Sequence, residues 1–291
     1  MGAYRTADER FEGLPGYDFE PRYLDQDGLR MHYVDEGAGA PVLLLHGEPT
    51  WSFLYRKLIP PLAAAGLRCL APDYFGFGRS DKPTHREWYS YDAHTESILR
   101  FADELDLRDA TIVVQDWGGP IGLRLAVERP TRVGRAVILN TGIGARAPNE
   151  EWLRFRDFMR RVDTEIVVGQ LLRISLVQAA GDDVIAGYDA PFPVPESRVG
   201  VVMFPELVAT SSGHPSAPAM AATREALRGW EKPALVLFSD SDPIFPRRAA
   251  EAMAALLPRA ELADPVEGAG HFLQEDRGEE IAARVVRFIQ T

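Results

Sequence analysis

Asp116 has the strongest chemical context, in the segment IVVQDWGGPIGLRLA over 112–126. An apolar run ends at Gln115, the carboxylate follows, and Gly118 and Gly119 open a helix-like stretch. Two glycines leave room for a sharp strand-to-helix turn, and Pro120 is tolerated in a first helical turn. Asp is also a favoured helix N-cap, so the position alone does not separate capping from chemistry. Other segments do. His271, in GAGHFLQED (268–276), follows a Gly-rich loop and precedes a terminal helix. Asp240 and Asp242, in FSDSDPIF (238–245), follow a buried-strand pattern. A carboxylate nucleophile, an imidazole base and a second carboxylate to orient that base form a coherent set. Asp242, followed by Pro243, holds the better position at the strand exit. Asn140, at the end of the preceding strand, is a competing location, but a neutral amide does not stabilise an imidazolium as a carboxylate does. The order Asp116, Asp242, His271 is the nucleophile, acid, base order expected around a nucleophile elbow.

A carboxylate nucleophile restricts the substrate. Attack on an ester carbonyl makes an anhydride, uphill of the ester. Attack on a saturated carbon makes an ordinary alkyl ester, so displacement at an sp³ carbon is favoured. The leaving group is then a halide or the oxygen of an opened epoxide. A halide needs N–H donors and no proton. An epoxide oxygen needs an acid, commonly a tyrosine, and of 9 tyrosines only Tyr188 lies in the region 144–215. Trp117 sits beside the nucleophile, and its indole is a donor-only group. Trp152 offers a second donor. The balance tilts towards halide.

The surrounding pattern must place these groups. PVLLLHG (41–47), RCLAPD (68–73), ATIVVQD (110–116), RAVILN (135–140) and PALVLFSD (233–240) read as strands covered on both faces. Helical stretches such as 96–107 and 122–130 lie between them, which predicts a mostly parallel sheet. GLRMHYVDEG (28–37) reads as an added strand in an antiparallel edge hairpin. HGEPTW (46–51) directly follows a strand, where an elbow needs a loop that faces it. There the backbone N–H of Glu48, with that of Trp117, is expected to hold an oxyanion. His46 is expected to brace that loop. From 144 to 215 the strand rhythm stops, and 149–162 and 164–181 read as helices. The expected architecture is an α/β-hydrolase fold, with a mostly parallel central sheet flanked by helices and an inserted helical cap. Core residues 1–143 and 216–291 would flank a cap over 144–215.

Composition narrows the partners. With 32 Lys and Arg against 43 Asp and Glu, the formal charge is −11, which disfavours nucleic acid. The single cysteine, Cys69, offers no intramolecular disulfide, and no Cys/His spacing suggests a metal. No apolar run approaches the roughly 20 residues of a membrane span, and the N-terminus lacks a signal-peptide pattern. A cytoplasmic protein, monomeric or a weak homo-oligomer, is expected.

The motifs HGEPTWSFLYRK (46–57), PDYFGFGRSDKP (72–83), VVQDWGG (113–119), YDAPFP (188–193), FSDSDP (238–243) and GHFLQED (270–276) resemble those of the haloalkane dehalogenases. The similarity is to the subfamily with an aspartate acid near the C-terminus, and it spans nearly the whole chain. It implies a cofactor-free reaction on a small apolar halogenated substrate, with halide as product ligand and no metal. Asp116 would form an alkyl ester that His271, oriented by Asp242, hydrolyses with water. Trp117 would also bind halide through its indole. Relatives carry a second halide-binding Trp on the first cap helix. Here that position falls on Phe155, with Trp152 one turn earlier at i, i+3 on the same face. Either Trp152 reaches the halide, or Phe155 offers only its ring edge. An epoxide hydrolase using Tyr188, and a non-catalytic binding protein, are the alternatives.

Overall fold

The computed structural model describes residues 2–144 and 149–291, so residues 145–148 of the expected cap over 144–215 lie outside the described residues. The strands, in chain order, are β1 (Ala3–Tyr4), β2 (Arg22–Gln26), β3 (Leu29–Gly37), β4 (Ala40–Leu45), β5 (Leu67–Pro72), β6 (Lys82–Pro83), β7 (Ala110–Gln115), β8 (Val133–Leu139), β9 (Ala234–Val236) and β10 (Ala260–Leu262). Eight of them form one sheet in the order β10-β9-β8-β7-β4-β5-β3-β2. Every pairing from β10 to β5 is parallel. Only β3 with β5 and β2 with β3 pair antiparallel, which makes the edge hairpin. β7 lies at the centre and is buried along its whole length. Its Val, Ile and Ala side chains meet cover on both faces, and each large apolar side chain so buried contributes about 1.5–3 kcal/mol.

The helices are α1 (Ile59–Ala64), α2 (Tyr91–Glu104), α3 (Gly118–Glu128), α4 (Glu150–Val162), α5 (Val168–Ser175), α6 (Asp182–Asp189), α7 (Val199–Met203), α8 (Ala217–Leu227), α9 (Arg247–Ala254) and α10 (Leu273–Gln290). α2 starts earlier than its apolar pattern suggests, because the Ser90 hydroxyl accepts the Ala93 N–H at 3.0 Å and caps it. α4 to α8 all lie between β8 and β9 in the chain. No described helix is long and apolar enough to cross a membrane.

The stretch 164–181 is not one helix. A short 3₁₀ turn covers Asp163–Glu165, α5 ends at Ser175, and the chain then leaves the helix and bends at Val177 and Gln178 before α6. The cause is tertiary. The Asp276 carboxylate accepts the backbone N–H groups of Val177 (3.3 Å) and Gln178 (2.7 Å), which draws the chain off the helical path.

Candidate active site

Asp116 follows the last residue of β7 and takes the left-handed conformation, with φ of 50°. That turn throws its carboxylate off the strand while its carbonyl accepts the Gly119 N–H (2.9 Å) and the Thr141 hydroxyl (2.6 Å). The turn demands glycine nearby. A Cβ on Gly118 would sit 2.0 Å from the Leu45 carbonyl oxygen, and one on Gly47 would sit 2.3 Å from Asp116 Cβ. The loop after β4 can therefore pass against the elbow. There the Glu48 N–H donates to Asp116 Oδ1 at 2.9 Å, and the Trp117 N–H also hydrogen-bonds the carboxylate. Both expected N–H donors thus reach the same group.

His271 lies opposite. Its Nε2 is 3.7 Å from Asp116 Oδ2, and its Nδ1 is 2.8 Å from Asp242 Oδ2. The Asp242 side chain is buried and also accepts the N–H groups of Ile244 (2.7 Å) and Phe245 (3.1 Å). Asp240 does not reach the imidazole. It accepts the Gly268 and Ala269 N–H groups at 3.0 and 3.3 Å and shapes the loop that carries His271. Asn140 supports the same loop, because its amide nitrogen donates to the Gly270 carbonyl at 3.0 Å. His46 is buried and braces its loop. Its Nδ1–H donates to the Gly47 carbonyl (3.0 Å) and its Nε2 accepts the Tyr74 N–H (3.1 Å). Burial pushes its pKa down to about 4, so it stays neutral.

Electrostatics differ between the facing groups. Burial raises the Asp116 carboxyl above the ordinary range, against the pull of His271 and of the two N–H donors. Burial would lower the His271 imidazolium, but Asp242 and Asp116 overcome it and its pKa is raised.

These groups open on a cavity of about 910 Å³. Asp116, Trp117, His271, Trp152, Phe155 and Leu171 are among the residues of its wall. Among the described residues, neither the Trp117 nor the Trp152 indole N–H has a hydrogen-bond acceptor, so both donors are unspent. The Arg156 guanidinium lies 5.1 Å from the centre of the Trp152 ring.

A family model described as alpha/beta hydrolase fold matches residues 40–173. A haloalkane dehalogenase of Mycolicibacterium paratuberculosis is 44% identical, over 100% of this chain and 99% of its own length. One of Psychrobacter cryohalolentis is 41% identical, over 99% of this chain and 98% of its own. Among solved structures, the haloalkane dehalogenase DpaA from Paraglaciecola agarilytica, described as tetrameric, superposes with a TM-score of 0.93. It is 33% identical, over 98% of this chain and 97% of that one. The chain belongs to the haloalkane dehalogenase family.

Two features of this haloalkane dehalogenase differ from what its sequence suggests. Tyr188 is fully buried, and its hydroxyl donates to Glu275 Oε2 at 2.7 Å. Among the described residues no tyrosine lines the cavity, so Tyr188 is not placed to act as the acid for epoxide opening. The second is the Glu48 side chain. Burial, and then the neighbouring Asp116 charge, raise its carboxyl well above the usual range. It lies in the cavity wall, a placement hidden in the sequence because only the backbone of that loop has a motif.

Proposed function

We propose that this chain hydrolyses haloalkanes through a covalent ester on Asp116. The observation that carries the reading is the pairing of Asp116 with two backbone N–H donors on one side and His271 on the other. With Oδ1 held by Glu48, Oδ2 is the oxygen left to attack. It displaces halide from a saturated carbon: one C–O bond forms, and the C–halogen pair leaves with the halide. The Trp117 indole N–H receives that ion, and Trp152, or the ring edge of Phe155, completes its cradle. A water then gives a proton to His271 Nε2 and its oxygen bonds to Asp116 Cγ. The Glu48 and Trp117 N–H groups hold the oxyanion. On collapse the departing alkoxide takes back the proton held on His271 and leaves as the alcohol, and the carboxyl left on Asp116 loses its own, so halide and one proton are released. Asp242 keeps the imidazole in register and balances its charge. No step calls for a cofactor. The apolar share of the wall favours an uncharged haloalkane, and the core over 1–143 and 216–291 would carry the chemistry beneath a cap over 144–215.

The test is halide release from a panel of short and long bromoalkanes, compared with Asp116→Ala. Bromide and acid are expected from the native chain alone. Equal rates for the two proteins across the panel would overturn the reading.

A further inference from the structure

Gln115 is the residue immediately before the nucleophile, and the reaction above does not use it. It ends a strand whose other residues are Ala, Thr, Ile and Val, and it is fully buried. Its amide nitrogen lies 3.2 Å from the His271 carbonyl oxygen and 3.2 Å from His271 Nε2. A carbonyl oxygen only accepts, so the NH₂ end of the amide must face His271. Turning the amide over would set Oε1 against that oxygen, acceptor against acceptor. Nε2 therefore meets a donor and must carry its lone pair, while Nδ1–H donates to Asp242 at 2.8 Å. This arrangement is satisfied only by the neutral imidazole. It has a cost: Gln115 Oε1 is buried with no hydrogen-bond partner among the described residues. An apolar side chain of the same size would leave no such orphan.

We propose that Gln115 is a positioning residue that holds His271 in its neutral form in the resting enzyme by presenting an amide donor to Nε2, a contact that yields to the water when the base takes its proton. The inference rests on the reading of His271 as the base. The need for such a group follows from what faces the imidazole. Asp242 approaches from the loop after β9 and Asp116 from the elbow, and both negative charges favour the imidazolium. Burial biases Glu48, beyond Asp116, towards its uncharged form, and the rings of Phe245 and Phe272 flank the imidazole without charge. A protonated His271 would pair with Asp116 Oδ2, now 3.7 Å away, and would occupy nucleophile and base together. A donor at Nε2 stabilises the neutral form and opposes that pairing.

The variants Gln115→Met and Gln115→Glu test this. The rate of alkyl-ester hydrolysis would be followed against pH by rapid quench and intact mass with a bromoalkane. Loss of the donor in Gln115→Met should move the acid limb of that step up by about one pH unit. Gln115→Glu, which offers an acceptor and a charge, should move it further up. A uniform loss of rate with the limb in place, or a downward shift, would overturn the proposal. Should the variants not fold, the wild-type enzyme with ¹⁵N-labelled histidine gives a second reading. A neutral ring bearing its proton on Nδ1 is expected at neutral pH in the resting state, and an imidazolium there would overturn the proposal. The base assignment is checked separately: His271→Phe should accumulate the ester. If it does not, the base reading fails. If it does while the limb stays in place, only the role of Gln115 fails.

Discussion

Asp116 is held between opposing influences. Burial favours its neutral acid, while His271 and two backbone N–H groups favour the carboxylate that the proposed reaction needs. Asp116→Asn removes the attacking oxygen without changing shape, and bromide release should fall by on the order of 10⁴ or more, as when other covalent nucleophiles are removed. Because the imidazolium is raised, ester hydrolysis should lose rate as pH falls from above the ordinary histidine value of 6.5, with the limb on the alkaline side of it. A pH–rate profile of that step, with its midpoint below 6.5, would contradict this. Trp117→Phe deletes one hydrogen bond to a charged ion and should cost about 1.5–3 kcal/mol of halide binding, read by halide quenching of the remaining tryptophan fluorescence. Trp152→Phe, measured beside it, tells whether the second indole shares the ion. At this scale the sequence is informative where a residue has a loop signature, as Asp116, Asp242 and His271 do. The contact of Gln115 has none, since it exists only where the end of β7 meets the His271 loop. Trp152 and Phe155 are ambiguous for a related reason: both face the cavity, and helical spacing alone ranks neither first.

The elements meet at the elbow because Gly47 and Gly118 let the loop after β4 and the start of α3 approach within backbone distance. Gly47→Ala would drive a methyl group into Asp116. It should cost about 1–3 kcal/mol in stability, the usual scale of overpacking, and should reduce halide release far more than that loss of folded protein explains. Thermal unfolding and rate, measured on the same preparation, separate the two effects. The central strands are legible because burial on both faces leaves an unbroken apolar run. β2 and β10 are short, partly exposed edge strands, and the same rule gives them no such run. The split of 164–181 is invisible locally, because Asp276, about a hundred residues on, takes the two N–H groups that turn the chain.

Over the whole molecule, α6 is joined to the start of α10 and to the stretch before α1 by a buried knot. Arg56 Nη2 donates to Glu275 Oε1 at 2.8 Å, while Tyr188, from α6, donates to Oε2. Burial alone would raise the Glu275 carboxyl, but Arg56 wins and it is lowered. Its contribution to stability is therefore present above the ordinary glutamate value of 4.5 and is lost as pH falls below it. Arg56→Met leaves that charge only the part-exposed Lys57 ammonium, 2.9 Å from Oε1, and should destabilise the fold by up to about 3 kcal/mol in denaturant unfolding, with Arg56→Met/Glu275→Leu recovering much of the loss. Tyr188→Phe should lower stability by about 1.5–3 kcal/mol yet leave bromide release intact, as a joint rather than a catalyst would. The order of elements has a historical consequence. The helices α4 to α8 arrive as one uninterrupted stretch between β8 and β9, while Asp116, Asp242, His271 and the Glu48 and Trp117 N–H groups lie outside it. A graft of that stretch from another relative would therefore need only two crossover points, provided it keeps partners for Glu275 and Asp276. Trp117 stays with the recipient, Trp152 and Phe155 travel with the graft, and the substrate range can change hands in a single inheritance.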